Sequence, residues 1–124
     1  MTVVVGYVPK PEGEAALDKA IEEAKLRGAE LIVVHSHRSR GGEDEPDLTA
    51  VRAKLEASGV AHDVRQLVRG FEAAEDLVSV AEASDAELIV IGLRRRTPVG
   101  KLILGSNAQR VLLDAHCPVL AVKA

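Results

Sequence analysis

The sequence predicts a doubly wound α/β fold, in which about four helices cover a five-stranded, mostly parallel sheet. Two observations carry this prediction. Short apolar runs alternate along the chain with amphipathic segments of helical period. Most of these runs are apolar at every position, as in strands that helices cover on both faces. With right-handed crossovers, we expect the strand order 3-2-1-4-5 and a single domain over residues 1–124.

The first half of the chain predicts two strands, each followed by a helix. The run 3–5 is the first strand, and the helix predicted over 12–27 has acids at its start and bases at its end, as the helix dipole favours. Gly28 ends this helix, and 31–34 is the second strand. Residues 37–45 show no apolar period and predict a disordered loop. A second helix begins at 46–48 and ends at Gly59.

The second half predicts three strands and two helices. Residues 60–68 alternate between apolar and polar, which favours an edge strand with one exposed face. Gly70 precedes a third helix, 88–91 form the fourth strand, and 118–122 form the fifth. Ser106 begins a fourth helix, as its N-cap. The helical faces that we expect to point inward carry Leu17, Ala20, Ile21 and Ala24, then Leu48, Val51 and Leu55, then Ala74, Leu77, Val78 and Ala81, and lastly Ala108, Val111, Leu112 and Ala115.

Composition argues against several classes of protein. The 16 basic and 19 acidic side chains give a net charge of −3, whereas a nucleic-acid partner favours a strongly basic domain. Tyr7 and Phe71 are the only residues of the Phe, Trp and Tyr class, which is too few for a protein that stacks nucleic-acid bases on aromatic side chains. No apolar run approaches the roughly 20 residues that span a bilayer, and the chain enters its first strand without a signal peptide. With a single cysteine, these features predict a cytoplasmic protein that binds neither nucleic acid nor membranes.

The segment after the fourth strand predicts an anion site. Gly92 ends that apolar run, a basic loop follows, and Gly105-Ser106 opens the fourth helix. Helix N-termini attract phosphate, and ligands of doubly wound folds bind where the strand order reverses, here between the first and fourth strands. A solvated basic turn is the alternative. The phosphate-binding candidates are Gly92, Arg94, Arg95, Gly105, Ser106 and Asn107.

Several segments, spread over nearly the whole chain, resemble a universal stress protein domain. They are Val3-Val4-Val5-Gly6-Tyr7, Gly28-Ala29-Glu30-Leu31 leading to a histidine, and His116-Cys117-Pro118-Val119-Leu120. The most specific motif of that family is a glycine, two residues, a glycine, nine residues, then glycine with serine or threonine. Here Gly92 and Gly105-Ser106 keep the spacing. The resemblance implies an adenine nucleotide alpha hydrolase-like architecture, a homodimer and a role in the stress response.

Two positions depart from the family pattern. Members with the full motif bind ATP, and an aspartate after their first strand faces the nucleotide; here Arg95 replaces the second glycine and Val8 replaces the aspartate. We therefore expect a binding or regulatory module without standard ATP binding and without turnover. The first alternative is a member that binds ATP or AMP through the loop from Gly92 to Ser106. A small-metabolite enzyme is the second, for which no base and nucleophile pair is evident. Candidates for the adenine and ribose side of the cleft are Gly6, Tyr7, Val8, His35 and Ser36.

The remaining candidates concern cysteine, metal and dimer chemistry. Cys117 is interpreted as a packed thiol rather than a nucleophile, because adjacent residues of an extended segment point in opposite directions. His35 and His37 lack further ligands, so no metal site is expected. An apolar fifth strand could pair with its copy in a homodimer, and burial within one subunit explains the pattern equally well. The dimer-strand candidates are Val119, Leu120, Ala121 and Val122.

Overall fold

The computed structural model describes residues 1–37, 48–68, 73–94 and 105–124. Within these ranges the chain alternates strictly between strands and helices, which confirms the predicted α/β class. The elements in order are β1 (Thr2–Gly6), α1 (Pro11–Arg27), β2 (Glu30–His37), α2 (Thr49–Ser58), β3 (His62–Val68), α3 (Ala73–Ala83), β4 (Leu88–Leu93), α4 (Ser106–Asp114) and β5 (Val119–Lys123).

The strands form one sheet in the order β3-β2-β1-β4-β5, as predicted, and every pair in it is parallel. Val4 of β1 lies opposite Ile32 of β2 on one side and Ile89 of β4 on the other. β3 is an edge strand, as its alternating pattern indicates. The strand order reverses between β1 and β4, so a crevice is expected beyond the carboxyl ends of these two strands.

The core has two layers, one on each face of the sheet. Val3 and Val5 point to the layer that contains α1 and α2, whereas Val4 points to the layer that contains α3 and α4. All three side chains are completely buried. This alternation follows from the period of two in a strand, and it explains why the apolar runs have no polar face.

Helix boundaries follow the expected signals where the structure describes them. α1 begins with Pro11, whose missing N–H is no loss in the first turn, and ends at Gly28 in the left-handed conformation with φ of 61°. Gly59 ends α2 in the same way, with φ of 75°. No helix of the described ranges is long and apolar enough to cross a membrane.

Several predicted details are wrong. β4 continues to Leu93, so Gly92 lies within the strand rather than after it. Gly105, in extended conformation, is the N-cap of α4, and Ser106 is its first helical residue. Leu112 is 43% exposed. The face of α4 that packs against the core is narrow and carries Ala108, Val111 and Ala115, and Leu112 lies beside it. Val78, by contrast, packs against the core layer of α3 and α4 as expected, although it is only half-buried, and Val80 is buried there as well.

Three further predictions lie outside the described residues. These are the loop that follows His37, the start of the second helix before Leu48, and the position of Gly70. α2 is described from Thr49 onward.

Candidate functional site

A cleft opens beyond the carboxyl ends of β1 and β4, where the strand order reverses. We call it the β1–β4 cleft. Its volume is about 150 Å³, which is enough for one small ring system but less than most pockets for drug-sized ligands. Its walls are mainly apolar. They are formed by Gly6, Tyr7, Val8, Glu12, Gly13, Val34, Ser36, Ala73, Ala74, Leu77, Ile91, Gly92, Asn107, Ala108 and Val111.

Six of the predicted site residues meet in this cleft. The end of β1 and the end of β2 contribute the residues expected on the adenine and ribose side, and β4 and the first turn of α4 contribute two expected on the phosphate side. Val8 is 37% exposed and forms part of the cleft wall. The six are Gly6, Tyr7, Val8, Ser36, Gly92 and Asn107.

The other candidates lie elsewhere. His35 is buried next to Tyr7, with its Nδ1 3.0 Å from the Tyr7 carbonyl oxygen, and it does not line the cleft. Gly105 and Ser106 are exposed at the start of α4 and are not among the lining residues. Arg95 lies outside the described residues. His35, being buried and outside the lining, is therefore a packing residue beside the cleft.

Tyr7 is held firmly at the base of the cleft. Its backbone N–H donates to the Val34 carbonyl oxygen at 2.9 Å, and its hydroxyl donates to Glu14 Oε1 at 2.6 Å. The ring of His35 meets it edge to face, with centroids 6.1 Å apart. Burial raises the pKa of the Tyr7 phenol above its ordinary value, and the hydrogen bond and the charge of Glu14 raise it further.

Two glycines allow close backbone contacts at the start of α1, one with β4 and one with the loop that follows β1. A Cβ atom on Gly92 would lie 2.0 Å from the Glu12 carbonyl oxygen, and one on Gly13 would lie 1.7 Å from the Val8 carbonyl oxygen. Both distances are far below van der Waals contact. Gly92 therefore has a packing reason to be glycine, independent of any phosphate. In both places only glycine leaves room for the backbone of the opposite segment.

Glu12 is a cleft residue that the sequence analysis did not identify as one. It is only 9% exposed, although it is charged. Its Oε2 lies 3.2 Å from Nε of Arg94, whose side chain is 59% exposed. The pattern gave no signal for this role, because an acid in the first turn of a helix is ordinary. Its burial results from the close contact between the start of α1 and β4.

Arg94 lies on the outer side of Glu12, away from the cleft. It lines a separate, outer recess together with Lys10, Pro11, Glu12 and Ala124. Glu12 lines both the β1–β4 cleft and this outer recess. Arg94, a predicted phosphate contact, therefore does not line the β1–β4 cleft, and its guanidinium is paired with the Glu12 carboxylate.

Ser36 places a hydroxyl at the cleft without a partner. Its Oγ is buried and has no hydrogen-bond partner among the described residues. A buried hydroxyl left in this state costs roughly 1–3 kcal/mol. A polar group of a ligand in the cleft would remove that cost, so Ser36 is a candidate ligand contact.

No metal centre is formed by the part of the chain that the structure describes: no three His, Cys, Asp or Glu side chains lie together there. Cys117 is half-buried against the layer of α3 and α4, and burial raises the pKa of its thiol. A raised pKa leaves less thiolate at neutral pH, so the thiol is less reactive. This environment fits the packed thiol of the sequence analysis.

The fifth strand lies at the second edge of the sheet. Its apolar side chains are half-buried and pack on both core layers, with Leu120 and Val122 on the α1 side and Val119 and Ala121 on the α3 side. Within the described residues β4 is its sole strand neighbour. The outer row of its backbone groups thus has no strand partner in the described part of the chain.

The comparisons with known proteins agree with one another. The sequence model of the Universal stress protein family matches residues 1–123. A universal stress protein of Mycolicibacterium smegmatis is 46% identical over 126 residues, which cover 98% of this chain and 96% of that protein. The structure of a universal stress protein from Archaeoglobus fulgidus has 40% identity and a TM-score of 0.76, covering 99% of this chain and 98% of the other. Another, from the same organism and in complex with dAMP, has 34% identity, a TM-score of 0.70 and the same coverage.

Proposed function

The chain belongs to the universal stress protein family, and from that premise we propose that it is a binding and regulatory module rather than an enzyme. Its β1–β4 cleft would take the nucleoside part of an adenine nucleotide. The observation that carries the proposal is the position of this mainly apolar cleft where the strand order reverses, which is the usual ligand site of such sheets. The role in the stress response and the cytoplasmic location stay predictions.

The lining of the cleft suits a purine better than a phosphate chain. Its volume of about 150 Å³ matches one ring system, and side chains such as Leu77, Ile91 and Val111 would bury the ring faces. Asn107 brings the first turn of α4 to the lip of the cleft, and the backbone N–H groups of such a turn have no partner within the helix. An α-phosphate would find its donors there. The Archaeoglobus relative in complex with dAMP supports a ligand of this class.

Two side chains argue against standard ATP binding. The side chain of Val8 lines the cleft and offers no hydrogen bond, and Glu12, another lining residue, brings a negative charge close to the cleft. A carboxylate near a polyphosphate is unfavourable, although Arg94 offsets part of its charge. We therefore expect AMP and adenosine to bind more tightly than ATP.

Calorimetric titration with adenosine, AMP, ATP and GMP tests the proposal. Ala73 is exposed and lines the cleft, so Ala73→Phe would place a ring over the opening without disturbing the core. Ala83 is exposed at the other end of the same helix, and Ala83→Phe is the matched control. We expect adenosine and AMP to bind, Ala73→Phe to weaken binding by about tenfold or more, which corresponds to at least 1.4 kcal/mol, and Ala83→Phe to have no effect. Absence of binding at millimolar AMP, or equal loss in both variants, would refute the proposal.

A homodimer through β5 is the second part of the proposal. In the parallel ladder, the Ile89 N–H donates to the Pro118 carbonyl oxygen, and the Ala124 N–H donates to the Leu93 carbonyl oxygen. The alternation of the ladder then directs the backbone groups of Leu120 toward β4 and those of Ala121 toward the open edge. An apolar edge whose outward donors and acceptors have no strand partner among the described residues favours pairing with a second copy.

A further inference from the structure

We propose that Lys54 of α2 positions Tyr7 at the β1–β4 cleft, by holding the Glu14 carboxylate that the tyrosine hydroxyl contacts. Lys54 is not among the lining residues, so it acts through the other two residues as a positioning residue. The inference rests on the proposed function, because it makes nucleotide affinity depend on the contact between α2 and α1. It starts from a chain of three side chains that connects the surface of α2 to the end of β1.

Glu14 joins the tyrosine to the lysine, because its two oxygens contact different partners. The Tyr7 hydroxyl donates to Oε1 at 2.6 Å, and Lys54 Nζ donates to Oε2 at 3.3 Å. Lys54 Nζ also donates to Oδ1 of Asp18, at 2.8 Å. This second hydrogen bond raises the pKa of Lys54 above its ordinary value, so the ammonium group stays charged between the two carboxylates. The Glu14 carboxylate is therefore held at both oxygens, which restricts its rotation.

Tyr7 connects the two faces of the sheet, so its anchoring bears on the cleft. Its ring is buried in the core layer of α1 and α2. The residue also lines the cleft, where apolar side chains such as Leu77 and Ile91 belong to the opposite layer. Its backbone N–H donates to the carbonyl oxygen of Val34, which is another lining residue. A displacement of the ring would therefore move backbone that borders the cleft.

The exposure of the three side chains indicates which end of the chain gives way. The side chains of Lys54 and Glu14 are 40% and 46% exposed, and ion pairs with this exposure add little to stability. Tyr7, in contrast, is only 5% exposed, and a buried hydroxyl that loses its acceptor is costly. The tyrosine should therefore follow the carboxylate when the carboxylate moves. Loss of Lys54 should change the cleft more than the stability of the fold.

The affinities of lysine variants for AMP and adenosine test the inference. Lys54→Met keeps the length of the side chain without its charge, and it should weaken both ligands about fivefold. Lys54→Arg still offers donors to both carboxylates and should retain wild-type affinity. The matched control is Lys19→Met, since Lys19 is a lysine of α1 with 38% exposure that pairs with Glu22 at 3.3 Å. It changes the net charge equally and should leave both affinities unchanged.

The tyrosine itself supplies a readout that a merely structural role of Lys54 would not move. Tyr7 is the only tyrosine and the chain has no tryptophan, so near-UV circular dichroism in the tyrosine band reports how firmly Tyr7 is fixed. This signal should decrease in Lys54→Met and persist in Lys54→Arg and Lys19→Met. The melting temperatures of all three variants should stay within about 3 °C of the wild type.

A double-mutant cycle shows whether the effect passes through the tyrosine hydroxyl. In a Tyr7→Phe background the chain to Glu14 is already broken, so Lys54→Met should not weaken adenosine further. An equal loss in both backgrounds would overturn the inference.

The remaining outcomes separate this inference from the proposed function. If Lys54→Met weakens adenosine no more than Lys19→Met does, or if it weakens AMP alone, the lysine acts at most by its charge and the inference fails alone. A fall in melting temperature well beyond the stated range would make Lys54 a structural residue and would also overturn it. If the wild type binds no adenine compound, the proposed function fails and the coupling to nucleotide affinity fails with it, while the tyrosine signal still decides whether Lys54 holds Tyr7.

Discussion

Replacing Gly92 by alanine tests whether this glycine serves packing or phosphate binding. The added Cβ would lie 2.0 Å from the Glu12 carbonyl oxygen and 3.1 Å from the Glu12 Cβ. The start of α1 would have to retreat by more than about 1 Å to restore contact distance. Because this obstacle is backbone, the strain cannot be relieved by a rotamer change. Overpacking of this kind costs typically 1–3 kcal/mol, and we expect about 2 kcal/mol.

A second glycine of the same motif provides the control. Gly105 has an ordinary φ of −69°, and no described atom lies within 4 Å of a Cβ added there. Gly105→Ser adds a side chain of similar size while keeping a favourable N-cap residue. We expect its stability to stay within about 0.5 kcal/mol of the wild type.

The assay is thermal and urea unfolding of both variants, with calorimetric titration of AMP on each. A loss of about 2 kcal/mol corresponds to a fall of roughly 8 °C in Tm for a chain of this size. If Gly92→Ala is as stable as the wild type and loses only AMP binding, Gly92 acts on the phosphate and the packing argument is wrong. Equal destabilisation by both substitutions would also contradict it, because only Gly92 faces a backbone obstacle.

Two further predictions concern the tyrosine of the cleft and the edge of the sheet. Tyr7→Phe removes the hydrogen bond to Glu14 and should cost about 1 kcal/mol at neutral pH. Folding raises the pKa of Tyr7, so the stabilisation that Tyr7 provides is complete below its ordinary pKa near 10 and declines as the pH rises above that value. Urea unfolding at pH 8 and at pH 11 should therefore show that the difference in unfolding free energy between wild type and Tyr7→Phe becomes smaller at the higher pH. A difference that stays constant would contradict this. Ala121→Pro removes an outward N–H from β5 and should give a folded monomer in sedimentation, whereas Leu120→Pro should also disturb the ladder with β4. A dimer that persists in Ala121→Pro would exclude pairing through this edge.

The fold was predictable because its signals are local. Apolar runs without a polar face indicated strands covered on both sides, and the alternating pattern of 60–68 indicated the edge that β3 forms. Gly28 and Gly59 ended the helices as expected, since both adopt the left-handed conformation. The strand order placed the cleft between β1 and β4, and from it the positions of Gly6, Tyr7, Val8 and Ser36 followed.

The chemistry of the site was less predictable because it depends on contacts between distant segments. Gly92 and Glu12 are 80 positions apart, and only their packing shows that the glycine accommodates a backbone and that the acid is buried. The same packing pairs Arg94 with Glu12 instead of leaving it toward the cleft. Nor does periodicity show that His35 turns beside Tyr7 rather than into the cleft.

The contact between α1 and β4 therefore links the stability of the fold to the shape of the cleft. If α1 moved outward, Glu12 would gain solvent and leave its place among the lining residues, while the strands and the apolar side chains of the cleft would stay where they are. A substitution at Gly92 should accordingly lower stability and AMP affinity together, because the added Cβ meets the Glu12 backbone. Ala73→Phe should separate the two effects, because Ala73 is exposed and a ring there covers the opening of the cleft without disturbing the core.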